Sequence, residues 1–127
     1  MKILLVENKT NHISAVVVTL EDIKDNECKE VSTIISTDNI NELDKKIKKE
    51  KPNILILNGG FLFYLTKERI SSLKSLYPEM SILILTISFE QEMEFIKLGI
   101  ENFILKDFAV NFYKELINFF NKECKKK

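Results

Sequence analysis

Four short runs along the chain are apolar at every position: Ile3-Leu4-Leu5-Val6, Ile54-Leu55-Ile56-Leu57, Ile82-Leu83-Ile84-Leu85 and Phe103-Ile104-Leu105. A strand with one wet face alternates polar and apolar residues, so an unbroken run marks a strand covered on both faces, as in a parallel sheet. Val31 to Ile35 reads as a fifth, shorter strand. Between the runs the apolar period becomes helical. Thr10 or Asn11 caps a first helix with Ile13, Val16, Val17, Leu20 and Ile23 on one face. The three consecutive valines pull against it, because β-branched residues favour strands. A second helix starts at Asp38 or Asn39, turns Ile40, Leu43 and Ile47 inward and ends before Pro52. Its lysines, from Lys45 to Lys51, suit a solvated face and a helix C-terminus better than a binding patch. Asn58-Gly59-Gly60 is a turn signal. Phe61 to Leu76 reads as a third helix burying Leu62, Leu65, Leu73 and Leu76. Phe89 to Leu98 is a fourth, stopped by Gly99, and Phe108 to Glu123 is the last. Strands and helices that alternate in this way build a parallel sheet with helices on both faces.

At 127 residues the chain is one domain, since about 150 residues per domain is the working expectation. We assign residues 1–124 to it and leave 125–127 as a basic C-terminal tail. Lys plus Arg and Asp plus Glu are equal at 19 each, which argues against direct nucleic-acid binding, because that affinity scales with the phosphate charges neutralised. The opening apolar run is too short for a signal-peptide core, and no stretch approaches a membrane span. A cytoplasmic protein is expected. Cys28 and Cys124 match no metal-ligand or redox spacing and read as two free thiols in a reducing compartment. His12, the single histidine, reads as an exposed residue in the first turn of the first helix.

In an open α/β sheet the chemistry sits outside the carboxyl ends of the strands. Glu7 and Asn8 follow the first strand, Asn58 the third, Thr86 the fourth and Lys106 the fifth. A carboxylate, two amides, a hydroxyl and an ammonium therefore meet at one edge, where simple strand capping is the alternative explanation. The segments Ile3 to Asn8, Pro52 to Asn58, Ile82 to Thr86 and Gly99 to Asp107, in this order, resemble the receiver domain of bacterial response regulators, over essentially the whole chain. The resemblance implies a (βα)5, doubly wound, flavodoxin-like sheet of order 2-1-3-4-5. In that family an acidic pair after the first strand helps to hold Mg²⁺, and an Asp after the third accepts a phosphoryl group from a histidine kinase. A Thr or Ser and a Lys contact the phosphoryl oxygens, and an aromatic in the fifth strand reports the state. Thr86, Lys106 and Phe103 match these positions. Glu7 keeps one member of the acidic pair, Asn8 replaces the other, and Asn58 occupies the acceptor position.

An acyl phosphate needs a carboxylate oxygen as nucleophile, and the amide of Asn58 has none. Mg²⁺ is held by one or two carboxylates with water and phosphate oxygens. Only Glu7 remains for it, so no cofactor is expected and Mg²⁺ binding is weak or absent. Lys106 should then lie against Glu7 or Asn58. The interval from Thr86 to Lys106, 106 − 86 = 20 positions, is short for the family and predicts a shortened loop before the fourth helix. The interval from Glu7 to Asn58, 58 − 7 = 51, is long and points to an insertion around Glu21 to Glu30. Asn58-Gly59 is also prone to deamidation, which would restore a carboxylate.

Phe108, Phe112, Tyr113, Leu116, Phe119 and Phe120 make the last helix apolar over more than one stripe. With Phe103 nearby, the face of helix 4, strand 5 and helix 5 is the expected protein-interaction or homodimer surface, through Phe103, Phe112 and Tyr113. The reading is a degenerate receiver, not an enzyme, that acts through phosphorylation-independent contact with a histidine kinase or an output protein. Two alternatives stand beside it. One is a phospho-accepting regulator, or a receiver module of a larger regulator, that uses another carboxylate such as Asp38 or Asp107. The other, a small enzyme or nucleotide binder, lacks a Gly-rich phosphate loop and a nucleophile–base pair.

Overall fold

The computed structural model describes residues 1–7, 10–106 and 110–125, with the side chains of 10–14, 62–63 and 110 left aside. Five strands, β1 (Lys2–Val6), β2 (Thr33–Thr37), β3 (Ile54–Asn58), β4 (Ser81–Thr86) and β5 (Asn102–Leu105), form one sheet of order β2-β1-β3-β4-β5. Every pairing is parallel. Five helices alternate with them: α1 (Thr10–Asn26), α2 (Leu43–Glu50), α3 (Lys67–Leu76), α4 (Phe89–Lys97) and α5 (Val110–Lys125). This is the doubly wound (βα)5 fold that the receiver resemblance implies.

The continuous apolar runs are explained by two separate cores. Ile3, Leu5, Ile54, Ile56, Leu83 and Leu85 point into one core, shared with Val16, Leu20 and Ile23 of α1 and Phe112, Leu116 and Phe120 of α5. Their neighbours Leu4, Val6, Leu55, Leu57, Ile82 and Ile84 point into the other, shared with Leu43 and Ile47 of α2, Ile70 and Leu73 of α3 and Phe95 of α4. Successive side chains of a strand leave opposite faces, so β1, β3 and β4, covered on both faces, have no place for a polar residue until their ends, while the edge strand β2 carries the exposed Ser36.

Several boundaries differ from the sequence expectation. The valine triplet stays helical: Val16 is buried in the core while Val18 is exposed, so helical burial overrides strand propensity. β2 begins at Thr33 rather than Val31. Val31 is buried in the preceding turn and donates its backbone N–H to Cys28 O at 3.3 Å. A 3₁₀ turn over Ile40–Glu42 precedes α2, capped by Asn39, whose side-chain oxygen accepts from the Asn41 N–H at 3.0 Å. The helix expected from Phe61 divides into a 3₁₀ segment, Gly59–Tyr64, and α3, where Thr66 caps by accepting from the Arg69 N–H at 3.1 Å. Leu65 and Leu73 are buried as expected, but Leu76 is 67% exposed at the end of α3. Leu62 lies outside the described side chains. The segment 21–26 completes α1, and α5 runs on through Lys125. No helix among the described residues is long and apolar enough to cross a membrane.

Candidate functional site

Four of the five strands, β1, β3, β4 and β5, each deliver one polar residue to the carboxyl edge of the sheet. Glu7, Asn58, Thr86 and Lys106 are all buried. Each immediately follows or terminates an apolar run; the runs of β1, β3 and β4 are enclosed, whereas β5 leaves Leu105 exposed before Lys106 turns inward. Glu7 is tied to β2 by its N–H, which donates to Thr37 O at 3.1 Å, and Lys106 to β4 by its N–H, which donates to Thr86 O at 2.7 Å.

The side chains converge on the Lys106 ammonium. Its Nζ lies 3.2 Å from Glu7 Oε2 and 3.4 Å from Oε1, and it donates to Asn58 Oδ1 at 3.1 Å. Lys106 was expected against Glu7 or Asn58, and it engages both. The pair is dry, with side-chain exposures of 2% for Lys106 and 0% for Glu7. Burial pushes the Glu7 carboxyl above its ordinary 4.5, while the charge and hydrogen bond of Lys106 pull it back part of the way. A buried carboxylate without such a partner would be strongly disfavoured. The Glu7 carboxylate and the Asn58 amide oxygen are thus already committed to an ammonium, and the amide at the end of β3 offers no nucleophile.

Thr86 looks the other way. Its hydroxyl donates to Glu92 Oε1 of α4 at 3.3 Å. The connection from β4 to α4 is two residues, Ile87 and Ser88, as the short spacing predicts. Ser88 caps α4 by accepting from the Gln91 N–H at 3.2 Å, and Gln91 Oε1 accepts from the Ile87 N–H at 3.0 Å. That side chain also lies on the backbone of Gly59. A Cβ there would meet Gln91 Oε1 at 2.1 Å, so the glycine after Asn58 allows the start of α4 to rest on the β3 turn. The sequence reading missed Glu92 and Gln91, whose roles depend on the rotation of α4.

The remaining site expectations divide. Phe103 is half-buried, with its ring centroid 6.5 Å from that of Phe95. Phe112 is 2% exposed and belongs to the core, which corrects its placement on an interaction surface: α5 turns it toward the sheet. Tyr113 packs at the rim of that core and donates its hydroxyl to Asp22 of α1 at 2.7 Å. Apart from Val18, Tyr64 and Leu76, the exposed large apolar side chains among the described residues lie on or beside α4 and on β5. Phe89, Met93 and Ile96, at i, i+4 and i+7, form a stripe on α4, with Ile87 before it and Leu105 on β5. Asp38 is exposed beyond the end of β2. Asn8, His12 and Asp107 lie outside the residues or side chains described. Cys28 and Cys124 are free thiols, yet they are spatial neighbours.

No protein-family model matches the chain. No curated protein matches it either. Solved structures do. The non-phosphorylated receiver domain of the stress response regulator RcsB from Escherichia coli superposes with a TM-score of 0.73 at 19% identity, covering 100% of this chain and 95% of that one. The signal receiver domain of a putative Luxo repressor protein from Vibrio parahaemolyticus gives 0.68 at 20%, covering 98% and 90%. The longer RcsB response regulator of Salmonella typhimurium gives 0.72 at 19%, covering 100% of this chain, which spans 60% of that one. At these identities the likeness establishes the receiver fold.

Proposed function

We propose that this chain is a degenerate receiver domain of a two-component-type signalling system, which works through phosphorylation-independent protein–protein contact rather than as an enzyme. One observation carries the reading. At the position where the fold family places its phosphoacceptor stands Asn58, whose side-chain oxygen accepts from Lys106 while Glu7 neutralises the same ammonium. The residues that would contact the phosphoryl oxygens, Thr86 and Lys106, are retained, but the nucleophile is gone. Mg²⁺ binding is weak or absent, because Glu7 is the remaining carboxylate of the expected set and already faces a cation. The setting is cytoplasmic.

The interaction surface is the exposed face of α4 and β5. Large exposed apolar side chains set at helical spacing mark a partner site more often than chance, and Phe89 is 70% exposed and Ile96 53%. The partner is a protein, with a second copy of the chain, a kinase or an output protein as the classes that fit.

Acetyl phosphate with Mg²⁺, followed by intact-mass measurement, tests the reading. The wild type takes up no phosphoryl group, while Asn58→Asp does. A phosphoryl adduct on the unmodified chain would place the acceptor elsewhere, with Asp38 the first residue to examine, and would overturn the proposal.

A further inference from the structure

Cys28 and Cys124 are separated by 96 positions, and their sulfurs lie 3.9 Å apart. Cys28 sits in the turn between α1 and β2, buried against the core shared by α1 and α5, and Cys124 stands in the last turn of α5. Glu30 completes the group. Its Oε2 accepts from Cys28 Sγ at 3.4 Å, and the three ligand atoms all lie within 4.8 Å of one another. Among the described residues this is the one such trio of His, Cys, Asp or Glu side chains. The turn that carries two of them is tied at several points. The Cys28 N–H donates to Ile23 O at 2.8 Å, and the Glu30 carbonyl accepts from the Met1 ammonium. All of this lies at the amino edge of the sheet, opposite Glu7 and Asn58.

The spacing matches a metal polyhedron better than a disulfide. Zinc–sulfur bonds of about 2.3 Å at tetrahedral angles put two thiolates about 3.8 Å apart. With a zinc–oxygen bond of about 2.0–2.2 Å, the sulfur–oxygen edge is about 3.5–3.7 Å. The observed edges are 3.9 and 3.4 Å. A disulfide would require the sulfurs to close to about 2.05 Å. We propose that Cys28, Cys124 and Glu30 form a three-ligand site for a thiophilic divalent cation of the zinc class, with water in the fourth position, stapling the α1–β2 turn to the end of α5.

Binding involves no change of oxidation state. Each S–H bond breaks heterolytically, the electron pair stays on sulfur to form the metal–sulfur bond, and two protons pass to solvent. Two thiolates and one carboxylate around a dication leave one net negative charge, at an edge where the exposed carboxylate is open to solvent.

The test is titration of the reduced full-length chain with Co²⁺, then Zn²⁺. One Co²⁺ per chain is expected, with sulfur-to-cobalt charge-transfer absorption and tetrahedral d–d bands that Zn²⁺ abolishes by displacement. Cys124→Ser, at a half-exposed position, should lose the charge-transfer intensity and at least about tenfold in affinity. Glu30→Gln should keep the charge-transfer bands and weaken binding about tenfold. Melting temperature should rise with Zn²⁺ in the wild type and stay still in Cys124→Ser. Absence of charge-transfer absorption, or equal metal uptake by Cys124→Ser, overturns the site. So does an intact mass two hydrogens short in the air-handled protein together with no metal uptake by the reduced one, which would make the pair a disulfide instead.

Discussion

Lys106 holds the electrostatics of the strand-end site together, since it is the cation that faces both Glu7 and Asn58. Replacing it with methionine leaves a buried carboxylate without a counter-charge, which should cost about 3 kcal/mol at pH 7. The loss should shrink at lower pH, because protonated Glu7 needs no cation. Urea denaturation at neutral and mildly acidic pH measures both. In the wild type the Glu7 carboxyl lies above 4.5 when folded. The folded chain therefore binds more protons than the unfolded one between 4.5 and that raised value. Glu7 favours the fold most below this window, and its contribution is lost as pH rises through it. A carbon-13 titration of Glu7 should show the raised midpoint, and Lys106→Met should move it higher still; an unshifted midpoint would contradict the burial argument. These residues were legible in the sequence because each stands where an apolar run ends. Glu92 was not, since nothing along the chain says which side of α4 faces Thr86.

At the scale of elements, local capping and burial decided more than propensity. The first helix survives three valines in succession because Val16 reaches the core. Val18 does not share in that gain: it is 69% exposed, so Val18→Ala should stabilise the protein by about 0.5 kcal/mol through helix propensity alone. Ser88 is the N-cap of α4, accepting from the Gln91 N–H. Ser88→Ala should cost about 1 kcal/mol and loosen the first turn that brings Glu92 to Thr86, which amide hydrogen exchange over residues 89–92 would report. The third helix was misread for a related reason. Phe61 to Leu65 is apolar enough to suggest continuous helix, yet Thr66 offers a true cap and the chain before it tightens into 3₁₀ geometry. Apolar content signals burial, and caps signal where a helix starts.

At the scale of the whole molecule, five of the eight large apolar side chains exposed among the described residues, Ile87, Phe89, Met93, Ile96 and Leu105, lie on or beside α4 and on β5. The α4 stripe and Leu105 stay exposed while the aromatics of α5 are consumed by the core. Phe89→Glu with Met93→Lys should therefore change stability by no more than about 0.5 kcal/mol and remove association through this face. Sedimentation velocity over a concentration series measures the self-association arm. A wild type that associates and a double variant that associates equally well would move the interface elsewhere.

What the sequence determined by itself is the architecture and the roster at the carboxyl edge. Unbroken apolar runs cannot satisfy a half-exposed sheet, their alternation with helical periods demands crossovers, and the first polar residue after each run must land at the strand end. Asn58 in place of a carboxylate is likewise a statement of covalent chemistry, readable without coordinates. The tertiary structure alone decided which partners those residues take, which aromatics face inward, and that two cysteines at opposite ends of the chain are neighbours. Such facts depend on the rotation of each helix about its axis and on contacts between segments far apart in sequence, and no local pattern along the chain encodes them.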